Sequence, residues 1–154
     1  MQCTLHSVVA VRKRRGDYFF TVMTLDTVSS WGRVVRAAHR VVPVRDRGES
    51  ILDELRGSGA SVLPIGNGRS YGDSCLNPGG VLLDTRTMNA IIGFDIESGV
   101  VTCEAGTLLS DITACCLPHG WFLPVTPGTQ FVTIGGAIAN DVHGKNHHRA
   151  GSIG

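Results

Sequence analysis

Two glycine-rich segments carry the residue types that bind a phosphate. The first is Gly66–Asp73, which reads GNGRSYGD, and the second is Pro127–His148, which reads PGTQFVTIGGAIANDVHGKNHH. Glycine has no Cβ, so it lets backbone amides approach an anion closely and adopts positive φ at little cost. Successive amides in such a turn form a concave anion site. We therefore expect both segments to hold one ligand, a pyrophosphate-containing dinucleotide.

The second segment has the pattern of a helix start. Thr133 is a suitable N-cap, and Gly135 and Gly136 are followed by small and apolar residues, as in the first turn of a buried helix. The unpaired amides and partial positive charge of a helix N-terminus favour an anion. The apolar run Ser61–Ile65 predicts a buried strand that leads into the first glycine segment.

Neither segment is a standard nucleotide fingerprint. The spacing of Gly66, Gly68 and Gly72 has one residue too many for the Rossmann pattern, and no helical pattern follows it. Gly136 and Gly144–Lys145 are too widely spaced for a Walker A loop. A Rossmann dehydrogenase and a P-loop NTPase are both disfavoured, and from the residues alone simple turns remain an alternative to nucleotide binding.

Composition limits the classes of partner. The chain has 154 residues, enough for one domain, and a formal net charge of +1, which does not imply binding to nucleic acid. No run approaches the length of a transmembrane helix. The five cysteines contain no C-x-x-C pair, which predicts free thiols in a reducing, cytoplasmic compartment. Residues 1–28 are expected to form a variable, loosely packed N-terminal extension.

The elements that position the glycine segments follow from hydrophobic patterns. Strands are predicted at Val81–Asp84, Ala90–Asp95 and Val100–Glu104, the last two as a hairpin. The apolar residues of Trp31–Val44 also fit a helical period, but the β-branched content and Pro43 favour an extended segment. The pattern favours a short helix at Ser50–Leu55 and a longer one at Thr107–Leu117. Thr107 would cap the longer helix, and Pro118 and Gly120 would end it. This mixture of elements predicts an α+β fold.

The quoted motifs resemble a known family. GNGRSYGD followed by PGT-x-x-VT-x-GGAIAND-x-HGKNHH-x-AGS-x-G is similar to the PCMH-type FAD-binding domain of the FAD-linked oxidases, the vanillyl-alcohol oxidase/p-cresol methylhydroxylase superfamily. Within it, the likeness is strongest to bacterial oxidases that act on a lipid-linked ribose. The resemblance covers about Trp31–Gly154. It implies an FAD-binding domain over residues 29–154 that holds the first subdomain and the start of the second, and is incomplete at the C-terminus.

The resemblance also assigns residues. Those implied to bind FAD are Ile65, Gly66, Asn67, Gly68, Arg69, Ser70, Tyr71, Gly72, Asp73, Ser74, Gly128, Thr133, Ile134, Gly135, Gly136, Asn140, Asp141 and His143. His143 and Lys145 are expected to face the flavin ring and the substrate, where a positive group would stabilise the reduced ring. Tyr71 occupies the position at which many relatives carry a histidine bonded to the flavin, so FAD is expected to be non-covalent.

Alternatives remain for individual residues. His143 and Lys145 could belong to a solvated basic loop, and Arg69 to a surface ion pair rather than a phosphate contact. His143 and His147 are four residues apart, as in some metal sites, but no cysteine is near in sequence, so no metal is expected. Trp121 and Phe122 are expected in the core, Cys115 and Cys116 in helix packing, and Asp73 and Asp84 in turns or caps.

The implied activity is oxidation of an alcohol or sugar hydroxyl by hydride transfer to the flavin. The substrate would be bound by a C-terminal domain that is missing here, so the chain alone is expected to be inactive. The alternative is a non-catalytic FAD- or nucleotide-binding fragment. A metal-dependent hydrolase built on the histidines is a weaker third hypothesis.

Overall fold

The chain divides into two compact units. The computed structural model describes residues 4–5, 24–44, 55–56 and 59–153, and for residues 4–5 and 24–26 it describes the backbone alone. The N-terminal unit contains the described residues 24–87, and the C-terminal unit contains residues 88–153 together with residues 4–5. Both units combine strands with few helices, so the fold is α+β, as predicted.

The N-terminal unit contains a mixed β-sheet. Its described strands are β2 (Thr24–Ser29), β3 (Arg36–Pro43), β4 (Val62–Ile65) and β5 (Val81–Asp84), and β1 (Thr4–Leu5) belongs to the other unit. Their order is β2-β3-β5-β4, in which β2 runs antiparallel to β3 and the other two pairs are parallel. The extended backbone expected within Trp31–Val44 is confirmed by β3.

Strand β5 is buried along its whole length because both faces of the sheet are covered at this strand. Val81 and Leu83 pack with Val42 and Leu55 in one cluster. Leu82, which points the other way along the strand, packs with Ile65 and two other buried residues, Cys75 and Leu76. A parallel strand covered on both faces reads as a continuous apolar run, which is the pattern of Val81–Leu83.

Strand β4 is less buried than its apolar sequence predicted. Only Ile65 is buried, while Pro64 is exposed. The strand is the last in the order of the described strands, and a proline, which has no amide to donate, is tolerated at such an edge. The prediction of a fully buried strand was therefore wrong for Val62–Pro64.

Two predicted features lie partly outside the described residues. Of the predicted helix Ser50–Leu55, residues 50–54 are outside, and Leu55 and Arg56 are helical. Within residues 1–28, which are predicted to form an N-terminal extension, Thr24–Val28 pair with β3 from Thr24↔Val41 to Val28↔Ala37. Residues 1–3 and 6–23 lie outside the described residues.

The C-terminal unit is built on a hairpin and a helix. Strands β6 (Ile91–Asp95) and β7 (Val100–Cys103) form the predicted antiparallel hairpin, and β1 pairs with β7 in parallel. The helices of this unit are α1 (Leu109–Cys116), α2 (Ile134–Ala139) and α3 (His147–Ala150). Short 3₁₀ turns lie at Leu117–His119 here and at Thr85–Thr87 in the N-terminal unit.

Helix α1 packs its apolar face onto the hairpin. Leu109, Ile112 and Cys116 are buried in a cluster with residues of β7 and α2, and Cys115 packs against the same cluster, as predicted. The helix begins later than expected, because Leu108 is its N-cap and no side chain caps it. Thr107 is instead fully buried, and its carbonyl accepts a hydrogen bond from the amide of Ile134 (2.8 Å).

The aromatic pair that follows α1 separates into two environments. Trp121 packs against the core cluster and its indole Nε1–H donates to the carbonyl of Ile96 (2.8 Å), as expected for a core residue. Phe122 is 46% exposed, so its predicted place in the core was wrong. The described cysteines, Cys75, Cys103, Cys115 and Cys116, are thiols rather than halves of a disulfide. No helix in the described ranges is long and apolar enough to span a bilayer.

Candidate cofactor-binding site

The first glycine segment is a long loop between β4 and β5 whose two ends are fixed by side chains. Thr85 Oγ1 donates to the carbonyl of Ile65 at the loop entrance (3.0 Å). At the exit, Asn77 Nδ2 donates to the carbonyls of Ser61 (3.0 Å) and Val81 (3.2 Å). The loop thus starts at the carboxyl end of β4, where Ile65 is buried, and its exit is fixed at the amino ends of β4 and β5.

A buried histidine supports the exit of the loop. His39 on β3 is 1% exposed, and its Nε2 accepts a hydrogen bond from the amide of Asn77 (2.9 Å). The other ring nitrogen, Nδ1, lies 2.9 Å from the carbonyl of Ala37, so this nitrogen carries the proton and donates. Neither His39 nor Asn77 was identified from the sequence, because their contact spans 38 positions of the chain.

Gly68 and Gly72 give the loop its conformation. Their φ angles are +61° and +62°, in the left-handed region where a Cβ is unfavourable. A Cβ on Gly72 would meet no atom within 4 Å, and one on Gly68 would lie 3.8 Å from the carbonyl oxygen of Ser29, an ordinary contact. Backbone conformation rather than crowding therefore requires glycine at these two positions.

The middle of this loop has donors without acceptors. Within the described part of the chain, the backbone amides of residues 68–72 donate no hydrogen bond. The Nε of Arg69 is buried and also has no partner there, while the guanidinium carbon lies 5.0 Å from the centroid of the Trp31 ring. The described residues show no ion pair to Arg69, so the predicted alternative of a surface ion pair is not supported. An anion would satisfy these donors.

The end of the loop has structural hydrogen bonds. Asp73 Oδ1 accepts from Ser30 Oγ (3.2 Å), and Ser74 Oγ donates to the carbonyl of Tyr71 (3.3 Å). The Tyr71 side chain itself is 88% exposed. Burial raises the pKa of the Cys75 thiol, which keeps this core residue in its neutral form.

The strand that follows the loop ends in an ion pair. Asp84 accepts from Arg86 Nε at Oδ1 (2.8 Å) and from Nη2 at Oδ2 (2.6 Å), and its Oδ1 also accepts from the Arg86 amide (3.0 Å). Burial alone would raise the pKa of Asp84. The hydrogen bonds and charge of Arg86 outweigh burial, so the pKa lies below its usual value. Asp84, the last residue of β5, thus caps the 3₁₀ turn that follows, in agreement with the predicted role in a turn or cap.

The second glycine segment begins α2 as predicted, but its amides are already bonded. Thr133 is the N-cap, and its Oγ1 accepts from the amide of Gly136 (3.2 Å). The amide of Ile134 donates to Thr107 O (2.8 Å), and the amide of Gly135 donates to Ala105 O (2.8 Å). The expectation that this helix start offers unpaired amides to a phosphate was therefore wrong.

Packing explains the glycine at the start of α2. A Cβ on Gly135 would lie 2.9 Å from both the Cβ and the carbonyl oxygen of Ala105, closer than side chains tolerate. A Cβ on Gly136 would lie 3.0 Å from Thr133 Oγ1. The helix start is thus fixed against the loop that precedes α1, and its glycines allow this close approach.

The end of α2 forms a Schellman motif with an unusual residue. The amide of Asp141 donates to Ile138 O (3.0 Å), and the amide of Val142 donates to Ala137 O (2.9 Å). Asp141 has φ +46° at the position that glycine normally occupies. The side chain of Asn140 donates to Gly136 O (2.8 Å), so this predicted cofactor residue also closes the helix.

The polar loop after α2 is ordered through its backbone. His143 forms a bridge with Ser152, and Gly144 is buried so close to Thr126 that a Cβ would lie 2.6 Å from its carbonyl oxygen. The side chains of His143 and Lys145 are exposed. The ring centroids of His143 and His147 are 5.0 Å apart. No group of three metal-ligating side chains occurs among the described residues.

The predicted site residues fall into two sets. Residues 65–74 lie together in the loop of the N-terminal unit, and the remaining residues belong to the C-terminal unit, namely Gly128, Thr133, Ile134, Gly135, Gly136, Asn140, Asp141, His143 and Lys145. Residues 68–72 of the first set have unsatisfied donors, whereas Ile134, Gly135 and Gly136 donate within the protein.

The unsatisfied donors lie in a loop of an α+β domain, and backbone amides of this kind are typical of anion-binding loops. The chain belongs to the FAD binding domain family, whose model matches residues 38–154. FAD is the cofactor of this domain, and its diphosphate bridge is an anion of the required kind.

Similar proteins are named as an oxidase and a dehydrogenase. The chain is 40% identical over 134 residues to decaprenylphosphoryl-beta-D-ribose oxidase of Mycolicibacterium smegmatis. The matched region covers 85% of this chain and 29% of the relative. It is 30% identical over 128 residues to D-2-hydroxyglutarate dehydrogenase of Pseudomonas putida, and this matched region covers 81% of this chain and 13% of the relative. The chain thus spans less than a third of the length of these relatives.

Solved structures share the fold. Cholesterol oxidase from Brevibacterium sterolicum superimposes with a TM-score of 0.67 at 18% identity, covering 89% of this chain and 27% of that protein. Alkyldihydroxyacetonephosphate synthase superimposes with a TM-score of 0.64 at 20% identity, covering 79% and 24%. The PCMH-type FAD-binding fold predicted from the motifs is therefore confirmed.

Proposed function

We propose that this chain is the FAD-binding portion of a flavin-dependent oxidoreductase that removes a hydride from an alcohol or sugar hydroxyl. The observation that carries the proposal is the set of unsatisfied donors in the loop after β4. The relatives support the reaction class, because their names describe an oxidase of a ribose derivative and a dehydrogenase of a hydroxy acid. The domain would extend over residues 29–154.

In this proposal the loop binds the diphosphate of FAD. The amides of residues 68–72 and Arg69 Nε–H would donate to its oxygens, and the positive charge of Arg69 would offset their negative charge. Bound FAD would supply an isoalloxazine ring as the hydride acceptor. Tyr71 stands where many relatives carry a histidine bonded to the flavin, so the cofactor would be non-covalent.

The C-terminal unit would contribute through side chains and carbonyls rather than helix amides. His143 and Lys145 have exposed polar groups, which are free to orient the flavin ring or the substrate and to stabilise developing negative charge. A Cβ on Gly128 would meet no atom within 4 Å, so the surface at this glycine is open to a ligand. The other residues of this unit assigned from the resemblance remain part of the proposed site.

A second function remains as the alternative. The chain could bind FAD without catalysing a reaction, since it spans less than a third of its curated relatives and the substrate would be held by a further domain. Turnover distinguishes the two functions. The full 154-residue chain would be supplied with FAD, an alcohol or sugar donor and an artificial electron acceptor. Sustained reduction of the acceptor supports the enzyme, and FAD binding without reduction supports the alternative.

Binding itself is tested by titrating the purified chain with FAD, FMN and riboflavin. We expect FAD to bind more tightly than riboflavin, because riboflavin has the same ring without phosphate. Equal affinities would exclude the loop as a diphosphate site. Acid precipitation should then release the flavin into the supernatant, and yellow colour retained in the pellet would contradict non-covalent binding.

A further inference from the structure

The turn that joins β2 to β3 contacts the glycine loop at two points. This β2–β3 turn, Ser30–Arg33, is closed by a hydrogen bond from the amide of Arg33 to Ser30 O (3.1 Å). Ser30 is buried, and its Oγ donates to Asp73 Oδ1 (3.2 Å). The second contact is the stacking of Trp31 with Arg69.

The stacking fixes a donor without consuming it. The Arg69 guanidinium carbon lies 5.0 Å from the centroid of the Trp31 ring, within the range of a cation–π contact. Such a contact uses the face of the guanidinium and leaves its N–H groups, which lie in the plane, available to acceptors. Nε is buried yet has no acceptor in the described part of the chain. The ring thus restricts the rotamers of Arg69 while Nε–H stays available.

The other contact restricts the loop backbone beyond Arg69. Ser30 holds the loop at Asp73, so residues 68–72 lie directly before a fixed point. Ordering a free loop and a long side chain around an anion would cost conformational entropy at the moment of binding. Contacts that order them beforehand reduce this cost.

We propose that the β2–β3 turn is a positioning element for the diphosphate-binding loop, in which the Trp31 ring holds Arg69 and Ser30 holds Asp73. Trp31 and Ser30 touch no phosphate in this arrangement, and they act through the loop. The inference rests on the proposed function, because it assigns the ordered donors to the diphosphate of FAD.

The first experiment needs no cofactor. In NMR spectra of the full chain, the Arg69 Nε–Hε resonance should be shifted by the ring current of Trp31 and protected from solvent exchange. Trp31→Leu should move this resonance to the position of a solvated arginine and speed its exchange about tenfold or more, as expected on loss of burial. Trp31→Phe retains an aromatic face and should preserve most of the shift. An unchanged resonance in Trp31→Leu would overturn the proposal.

The second experiment measures affinity. Trp31→Leu should weaken FAD binding about tenfold, within the range expected for a partly desolvated cation–π contact, whereas Trp31→Phe should remain within about threefold of the wild type. Riboflavin affinity should be the same in all three proteins. In an Arg69→Met background, Trp31→Leu should have no further effect, because the residue it positions is absent. Equal FAD affinities for wild type and Trp31→Leu would overturn the positioning role.

The two experiments separate the inference from the proposed function. If the wild type binds FAD no better than riboflavin, the diphosphate assignment fails, and the Arg69 resonance still decides whether Trp31 positions the side chain. If the wild type binds FAD selectively, and neither the Arg69 resonance nor the FAD affinity changes in Trp31→Leu, the positioning role fails and the proposed function stands. Trp31 is 53% exposed, so its substitution is not expected to unfold the unit.

Discussion

The loop after β4 and the start of α2 are alike in glycine content and differ in what their amides do. In the loop, the amides of residues 68–72 and Arg69 Nε have no acceptor within the described chain. At α2, Ile134 and Gly135 donate to backbone carbonyls and Gly136 donates to the cap. In the loop, glycines allow positive φ, and the amides around them have no acceptor. At the start of α2, glycines allow close packing, and the amides there bond to neighbouring acceptors. The two segments therefore need separate tests.

The largest effect is expected where glycine is required by packing. Gly135→Ala places a Cβ 2.9 Å from Ala105, whose backbone has little freedom to move, so the C-terminal unit should lose about 2–3 kcal/mol of unfolding free energy. Urea unfolding followed by Trp121 fluorescence, in a Trp31→Phe background, reports on this unit. Gly128→Ala is the control, because no atom lies within 4 Å of the added methyl group. Equal stability of the two variants would show that α2 tolerates a wider approach.

The loop should respond in affinity rather than in stability. Arg69→Met removes a charged donor, so FAD binding should weaken about 30-fold, equivalent to about 2 kcal/mol. The stability of the N-terminal unit should fall by less than about 1 kcal/mol from the lost stacking. Titration of FAD and riboflavin into each variant measures the effect.

Arg69→Lys is the matched control for this change. It retains the charge but lacks the planar N–H groups, so its FAD affinity should lie between those of wild type and Arg69→Met. A parallel loss of riboflavin affinity would indicate that Arg69 supports the ring or the fold rather than the diphosphate, and the contrast between the two segments would then be lost.

The cap of α2 supplies the converse test. Thr133→Val keeps the side-chain shape and removes the hydroxyl that caps Gly136, so stability should fall by about 1 kcal/mol. FAD affinity should stay within about twofold, because the amides of Ile134 and Gly135 are bonded within the protein. Thr133→Ser should restore the stability. A large loss of FAD affinity at unchanged stability would mean that the helix start does bind the anion.

Local sequence patterns predicted most of the strands and helices but not the partners of the hydrogen bonds at the helix ends. The hairpin, β3, β5 and the cap at Thr133 follow from alternation, β-branched residues and a hydroxyl before small residues, all readable within a few positions. The start of α1 was misplaced because Thr107 resembles a cap. Its carbonyl instead bonds Ile134, far along the chain, and no local pattern indicates that contact.

The same limit applies to the candidate site. Gly68, Arg69 and Gly72 were identified from the sequence because their chemistry is local. The stacking of Trp31 on Arg69 and the support of Asn77 by His39 were missed, because each pair is separated by nearly forty positions and depends on the strand order of the sheet. Donor satisfaction at α2 depends in the same way on the distant carbonyl of Ala105.

Substitutions of Asp141 test whether the second glycine segment binds a ligand at the end of α2. Asp141→Gly relieves a positive φ of +46° and should stabilise the C-terminal unit by about 1 kcal/mol. If the carboxylate serves FAD, the same change should weaken FAD binding. Asp141→Asn, which tolerates this conformation and keeps a polar group, is the control. Higher stability with unchanged FAD affinity would leave Asp141 a structural residue that is better replaced by glycine.

The smallest effect is expected at the ion pair between Asp84 and Arg86, which ends β5. The start of α2, by contrast, is held by neutral donors and acceptors. Arg86 holds the pKa of Asp84 below its usual value, against the effect of burial. The unfolded state, with an aspartate pKa of about 3.9, therefore takes up the proton first as pH falls. The stabilisation is complete above that value and is lost as pH falls through the lower folded pKa.

Asp84→Asn should thus cost the N-terminal unit about 0.5–1 kcal/mol near neutral pH, a modest value because Arg86 is 58% exposed at its side chain. The difference between wild type and variant should shrink as pH falls below about 4 and vanish once Asp84 is protonated in both states. Unfolding followed by Trp31, in a Trp121→Phe background, measures it. A difference that stays constant with pH would mean that the Asp84 contribution is hydrogen bonding without charge, and the base of the loop would then be held by neutral contacts like the start of α2.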